Sequence, residues 1–363
     1  MVKELIKPYI TSKSLSRPFG WDSIPRDPNK LWLDKNENID REYNNFVHNL
    51  SKEISFNYLS QYPEPAELYR KLSKLNNLSK NNFILTPGSD GAIKYTFDIF
   101  VNPGDRVMIT SPSFAMYDIY CKMYGAIPVK IEYKKTLNGP KIELEDILYN
   151  LKKIKPKLFC LPNPDSPTGT ILGKDQVEEI IRICKFENII LLLDEAYFPY
   201  YNISYASYVK EFNNVIISRT FSKAWGLAGL RLGYAIGNKD VIQYYHKIKP
   251  MYEIGAYSIA FIEKMIDHID EMNNSVDRIM RGKDYFLCKM RELNFLTLDN
   301  HANFLHVSFG NSEEKIYKLL SKSVLYRRNF QEDCLYGFSR FTSTTIENFK
   351  PIIKTIESAL INE

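Results

Sequence analysis

Residues 218–233 read SRTFSKAWGLAGLRLG and follow directly on the apolar run VII. A lysine so soon after a buried strand needs explaining, because burying an ammonium is costly unless it is paired or chemically converted. An aldehyde cofactor meets that cost, since a Schiff base on Lys223 replaces the ammonium with an imine. The hydroxyls of Thr220 and Ser222 and the guanidinium of Arg231, eight residues past the lysine, can then converge on one phosphate. Alone, the stretch reads equally well as an exposed loop lysine and a charge at a helix end.

Outward from this stretch, short apolar runs alternate with amphipathic ones from about residue 65 to 218. That is the pattern of repeated strand and helix units around a largely parallel sheet. Strands are expected at 83–86, 106–110, 157–162, 189–193 and 215–218. A run such as IILLL is too short for a helix and too apolar for an exposed strand, so it reads as a central strand covered on both faces. Beyond residue 250 the texture changes to a helical stretch at 254–293, a strand at 303–308, a helix near 313–322, another strand and a closing helix from Ile346. This order suggests an α/β large domain at 40–250 and a smaller α+β domain at 251–363 that also takes in residues 1–39.

A chain of 363 residues with 44% hydrophobic and 25% charged side chains can fill such a core. Its net charge of only +5 argues against a nucleic-acid partner. The five cysteines and five histidines are widely spaced and show no ligand pattern, so reduced thiols and no metal are expected. No run approaches the length needed to cross a bilayer and the N-terminus lacks a signal-type apolar block, so no membrane contact and a cytoplasmic location are expected.

Two further segments bear on Lys223. LLLDEAY, residues 191–197, puts Asp194 at the carboxyl end of an apolar strand, where open α/β sheets bind ligands. An acid there can keep a pyridine nitrogen protonated and make the ring an electron sink. Tyr197 can hydrogen-bond a phenolic oxygen. Read by itself, Asp194 is as easily a helix N-cap. TPGSDG, residues 86–91, precedes an amphipathic helix expected from about Ala92. Backbone amides at a helix start bind anions, and Gly88 permits close approach, although a ligand-free turn accounts for the same residues.

In order along the chain come the glycine turn, SPSF, NPDSPTG, DEAY and Ser-Lys followed by Arg. Together they resemble the histidinol-phosphate aminotransferase branch of the class I and II aminotransferases, a fold type I architecture, from LDKNEN at Leu33 to SRFTSTTIEN ending at Asn348. The resemblance implies pyridoxal 5′-phosphate as cofactor, bound to Lys223, with Asp194 on the pyridine nitrogen and Tyr197 on the phenolic oxygen. It also implies Gly88, Ser89, Asp90, Thr220, Ser222 and Arg231 around the phosphate and Phe114 on the ring face, though that phenylalanine also fits a core position. Tyr62 resembles a tyrosine sent into a neighbouring subunit, which implies a homodimer with shared active sites. Arg340 matches an arginine for a substrate carboxylate, and Arg327 a second arginine, although it also reads as a solvated edge charge. Asn36 and Glu37 are placed at the substrate entrance.

The sequence departs from the pattern in three places. Ser166 stands where an asparagine is usual, Asp90-Gly91 replaces Asp-Glu, and Ile39 replaces a proline. The expected activity is amino-group transfer between an amino acid, with glutamate as donor, and a small keto substrate that can carry a phosphate. A decarboxylase of phosphoserine or phosphothreonine type shares the chemistry. A non-catalytic regulator on this fold is the remaining reading, and the retained lysine and aspartate speak against it.

Overall fold

The apolar runs do form one sheet in the computed structural model, which describes residues 2–15 and 24–361. Its strands are β1 (Phe83–Thr86), β2 (Arg106–Ser111), β3 (Ile127–Glu132), β4 (Leu158–Pro162), β5 (Ile190–Asp194), β6 (Val215–Thr220) and β7 (Gly233–Gly237). Their spatial order is β1-β7-β6-β5-β4-β2-β3. Strand β7 runs antiparallel to β1 and β6, and the other pairs are parallel. Alternate residues feed two apolar clusters, with Phe159, Leu191 and Ile217 on one face and Cys160, Leu192 and Ile216 on the other. Both faces are covered, as runs without polar alternation require.

Register sets the site. Pro162, Asp194 and Ser218 lie level at the carboxyl ends of β4, β5 and β6, where a parallel sheet offers its binding crevice. Helix α1 (Gly88–Phe100) begins four residues before the expected Ala92, which brings Ser89 and Asp90 into its first turn. Helix α2 (Met116–Met123) follows the loop that carries Phe114.

The expected helix at 254–293 is two helices, Ala256–Ile266 and α3 (Ile269–Glu292). They part at Asp267, whose amide bonds back to Lys264 and whose carboxylate is held by Lys71. Residues from Ile254 to Ile279 share an apolar cluster with the large sheet, whereas Phe286, Leu287 and Met290 pack with the C-terminal strands. The packing partner therefore changes within α3. The C-terminal sheet, ordered β8 (Leu296–Leu298), β9 (Phe304–Ser308), β10 (Ser339–Thr342), is antiparallel. It is backed by α3 and α4 (Ile346–Ile361), with Phe286 against Phe349 at 4.6 Å. Leu31–Trp32 pairs in parallel with Val324–Leu325, so the N-terminal segment docks on this smaller unit and then crosses to the site.

All five cysteines are free. Among the described residues no helix is long and apolar enough to cross a membrane, and no acidic, histidine or cysteine cluster is arranged to hold a metal.

Candidate active site

A cavity of about 510 Å³ opens at the carboxyl ends of β4 to β6. A larger one of about 750 Å³ behind β6, walled by Arg219 and Trp225, contains neither Lys223 nor Asp194. Lys223, Asp194, Tyr197, Ser166, Phe114 and Arg340 all face the first cavity. Its wall also holds Ser89, Asp90, Thr220, Ser222, Arg231, Arg327 and Asn36. Residues spread over some three hundred positions are thus assembled on one void.

Lys223 Nζ donates to the Lys35 carbonyl at 2.9 Å and lies 5.9 Å from the Tyr197 ring. Burial and the nearby Arg340 and Arg231 push its amine down to about 8, against the opposing pull of Glu37 and Asp194. About a tenth of this amine is therefore neutral and nucleophilic at pH 7, far more than for an ordinary exposed lysine.

Asp194 is 5% exposed, and burial pushes its carboxyl up. What holds it down is a set of neutral donors. Tyr117 donates from its hydroxyl at 2.8 Å, Ser218 at 2.8 Å, and the Ala196 amide at 3.1 Å. A buried carboxylate whose hydrogen-bond donors are all neutral still lacks a counter-charge, and a protonated ring nitrogen in the cavity would supply one. Tyr117 and Ser218 had no assigned role in the sequence. The only available signal was the tyrosine three residues past Phe114 in SPSFAMY.

At the opposite end, Gly88 takes a left-handed φ of +71°, and a Cβ there would stand 3.0 Å from Arg231 Nη2. A Cβ on Gly233 would lie 2.7 Å from the Ser89 amide nitrogen. Only glycines at both positions let the start of α1, strand β7 and the arginine close on one point. Arg231, itself left-handed at φ 49°, reaches Ser222 Oγ at 3.3 Å. Two amides at a helix start, two hydroxyls and a guanidinium form an anion cradle, while Asp90 is partly engaged by the Tyr120 hydroxyl at 2.9 Å. Phe114 is 38% exposed at the cavity and meets Tyr117 edge-on at 5.7 Å. Amine, carboxylate and cradle together fit a phosphorylated pyridine aldehyde.

Tyr197 accepts from Asn36 Nδ2 at 2.9 Å, and its hydroxyl pKa is raised by burial while Arg340, Ser166 and Asn36 work against the rise. Asn36 is held by its left-handed φ of 59° and by Thr342 Oγ1, which accepts from its amide at 2.9 Å. Its Oδ1 is buried without a hydrogen-bond partner. Arg340, 3% exposed, donates to the Asp34 carbonyl at 3.1 Å, while its Nε has no partner. Burial lowers its guanidinium to about 10, so a substrate anion beside it recovers a desolvation loss. Arg327 pairs with Arg340 through the backbone, and its guanidinium lies 5.8 Å from the Phe330 ring. Glu37 does not line the cavity. It forms a two-pronged pair with Arg26 at 2.7 and 2.9 Å, and although burial raises it, that pairing leaves its carboxyl below the usual range. Tyr62 lies outside the cavity, 73% exposed and stacked on Tyr252 at 4.2 Å.

The sequence model of the family "Aminotransferase class I and II" matches residues 28–356. The chain belongs to that family. The histidinol-phosphate aminotransferase of Brachyspira hyodysenteriae is 31% identical over 369 residues, covering 98% of this chain and 100% of that protein. Membership makes the protein a histidinol-phosphate aminotransferase-like enzyme that works with pyridoxal 5′-phosphate. Two solved structures share the aminotransferase fold. One is histidinol-phosphate aminotransferase from Sinorhizobium meliloti in complex with pyridoxal-5′-phosphate, with a TM-score of 0.75, 19% identity and 91% of each chain covered. The other is L-threonine-O-3-phosphate decarboxylase from Porphyromonas gingivalis, with a TM-score of 0.74, 20% identity, and 91% of this chain and 99% of that one covered.

Proposed function

We propose that this aminotransferase moves an amino group between an amino acid, with glutamate as donor, and a small phosphorylated ketone of the imidazole-acetol phosphate kind. The observation that carries the reading is the layout of one cavity. A depressed lysine, a buried carboxylate and an anion cradle share one void with Arg340 and Arg327. Bound pyridoxal phosphate supplies an electron sink for negative charge at the substrate α-carbon. Asp194 holds a proton at the ring nitrogen, and Tyr197 donates to the phenolic oxygen. Lys223 Nζ would take the α-proton as a general base with a pKa suited to neutral pH. Arg340 orients a carboxylate through its planar fork.

The same reading includes a homodimer in which Tyr62 reaches the neighbour's phosphate site. The exposed apolar side chains of Phe56, Leu59, Tyr62 and Met251 support it, because a patch of that kind marks an interaction surface. A second reading is decarboxylation of a phosphorylated amino acid, since the L-threonine-O-3-phosphate decarboxylase of Porphyromonas gingivalis shares the fold.

Single-turnover mixing of holoenzyme with glutamate tests the proposal. Loss of visible absorbance with formation of the pyridoxamine form and one equivalent of 2-oxoglutarate is the expected result, and the Lys223→Ala protein should give neither. No conversion by the wild-type protein with any amino acid, together with carbon dioxide release from phosphothreonine or phosphoserine without an acceptor, would replace transfer by decarboxylation.

A further inference from the structure

Behind the cavity wall lies a second buried carboxylate, which the amino-transfer chemistry leaves without a task. Asp165 is fully buried and points away from the cavity, while its neighbours Pro164 and Ser166 line it. Its oxygens accept from Thr110 Oγ1 at 2.6 Å, Ser113 Oγ at 2.7 Å and the Tyr133 hydroxyl at 2.9 Å. Those donors come from the end of β2, from the residue next to Phe114, and from the chain just past β3. Tyr133 in turn accepts from Thr170 Oγ1 at 2.9 Å. The Asp165 backbone closes its own loop, with its amide on the Thr170 carbonyl at 2.9 Å and its carbonyl on the Gly169 amide at 2.8 Å.

We infer that Asp165 is a positioning residue that joins two walls of the cofactor pocket, the Phe114 ring and the Ser166 hydroxyl beside Tyr197, into one rigid unit. Each wall residue is chain-adjacent to a partner in the Asp165–Ser113 bond, so that bond fixes the spacing between them. A buried, fully hydrogen-bonded polar network specifies geometry in a way an apolar contact does not. Burial pushes the Asp165 carboxyl up to about 7, while the three hydroxyls and the Ser166 amide work in the opposite direction. The four donors favour its charged form against that push.

The inference rests on the cofactor reading of the cavity, and the test separates the two. Holoenzymes of wild type, Asp165→Asn, Ser113→Ala and the double variant are compared by visible circular dichroism of the bound cofactor and by its release rate. Each single variant should weaken the visible dichroism and speed release about 10- to 100-fold, the scale of one hydrogen bond to a buried charge. The double variant should release no faster than the faster single, because both act on one bond. Ile353→Ala, in the core of the smaller unit, should lower the melting temperature and leave both readouts unchanged. Additive effects, or wild-type dichroism and release in Ser113→Ala, would overturn the role of Asp165. If Asp165→Asn does not fold, Ser113→Ala decides alone, since its hydroxyl is assigned only to Asp165. A wild-type protein with no visible band would instead remove the cofactor reading.

Discussion

Tyr117→Phe is the sharpest perturbation available at this site, because it removes one oxygen atom and leaves the ring volume in place. The deleted hydroxyl donates to Asp194 Oδ2 at 2.8 Å in a fully buried setting. A hydrogen bond to a charged acceptor contributes about 1.5–3 kcal/mol. Losing it pushes the Asp194 carboxyl further up, by a free energy worth about 10- to 100-fold in an equilibrium. A more basic Asp194 draws the shared proton away from the cofactor nitrogen and weakens the electron sink. Removal of the substrate α-proton should therefore slow about 10- to 100-fold. The assay is stopped-flow conversion of the holoenzyme by a saturating amino donor, with a deuterated α-carbon to show that proton removal is being timed. Ser218→Ala, which deletes the donor at Oδ1, should act in the same direction. If Tyr117→Phe reacts at the wild-type rate with an unchanged isotope effect, the argument that neutral donors tune Asp194 is wrong.

Arg340→Lys should lower kcat/KM for a carboxylate-bearing donor about 10- to 100-fold, since a lysine cannot reproduce the two-pronged contact; steady-state kinetics with glutamate checks it. Cofactor loading onto apoprotein needs the neutral Lys223 amine, so its rate should rise with pH and level off above about 8. A rate that keeps climbing towards pH 10.5 would show an unperturbed lysine. The same depressed pKa means the unfolded chain binds more protons between about 8 and 10.5, so apoprotein stability should gain a contribution as pH rises through that window. Gly282→Ala should destabilise the fold by about 1–3 kcal/mol or more through overpacking, because a Cβ there would stand 1.9 Å from the Thr344 carbonyl oxygen. Thermal unfolding of that variant measures it.

Much of the large sheet was readable because its strands are buried on both faces, which forces uninterrupted apolar runs such as residues 190–193. Near residue 250 the sequence showed only a change of texture. The apolar cluster that the chain packs against changes inside α3, and a continuous helix pattern carries no mark of which core each turn faces. The break at Asp267 was likewise hidden, because the side chain that holds it, Lys71, is nearly two hundred residues away.

Sequence by itself picked out the lysine and the acid of the floor, and their order with the other motifs carried the family resemblance. A lysine after a buried strand and an acid ending another are local statements, and local order along a parallel sheet brings strand ends to one edge. Only the tertiary structure decided which neutral groups surround them. Tyr117 and Ser218 meet Asp194 from a separate helix and strand, and Asn36 reaches Tyr197 across 161 positions. Glu37, one residue past the left-handed turn at Asn36, pairs with Arg26 instead of lining the cavity. Hydrogen-bond partners are fixed by three-dimensional distance within a fraction of an ångström, and sequence spacing carries no such distance once the chain has doubled back.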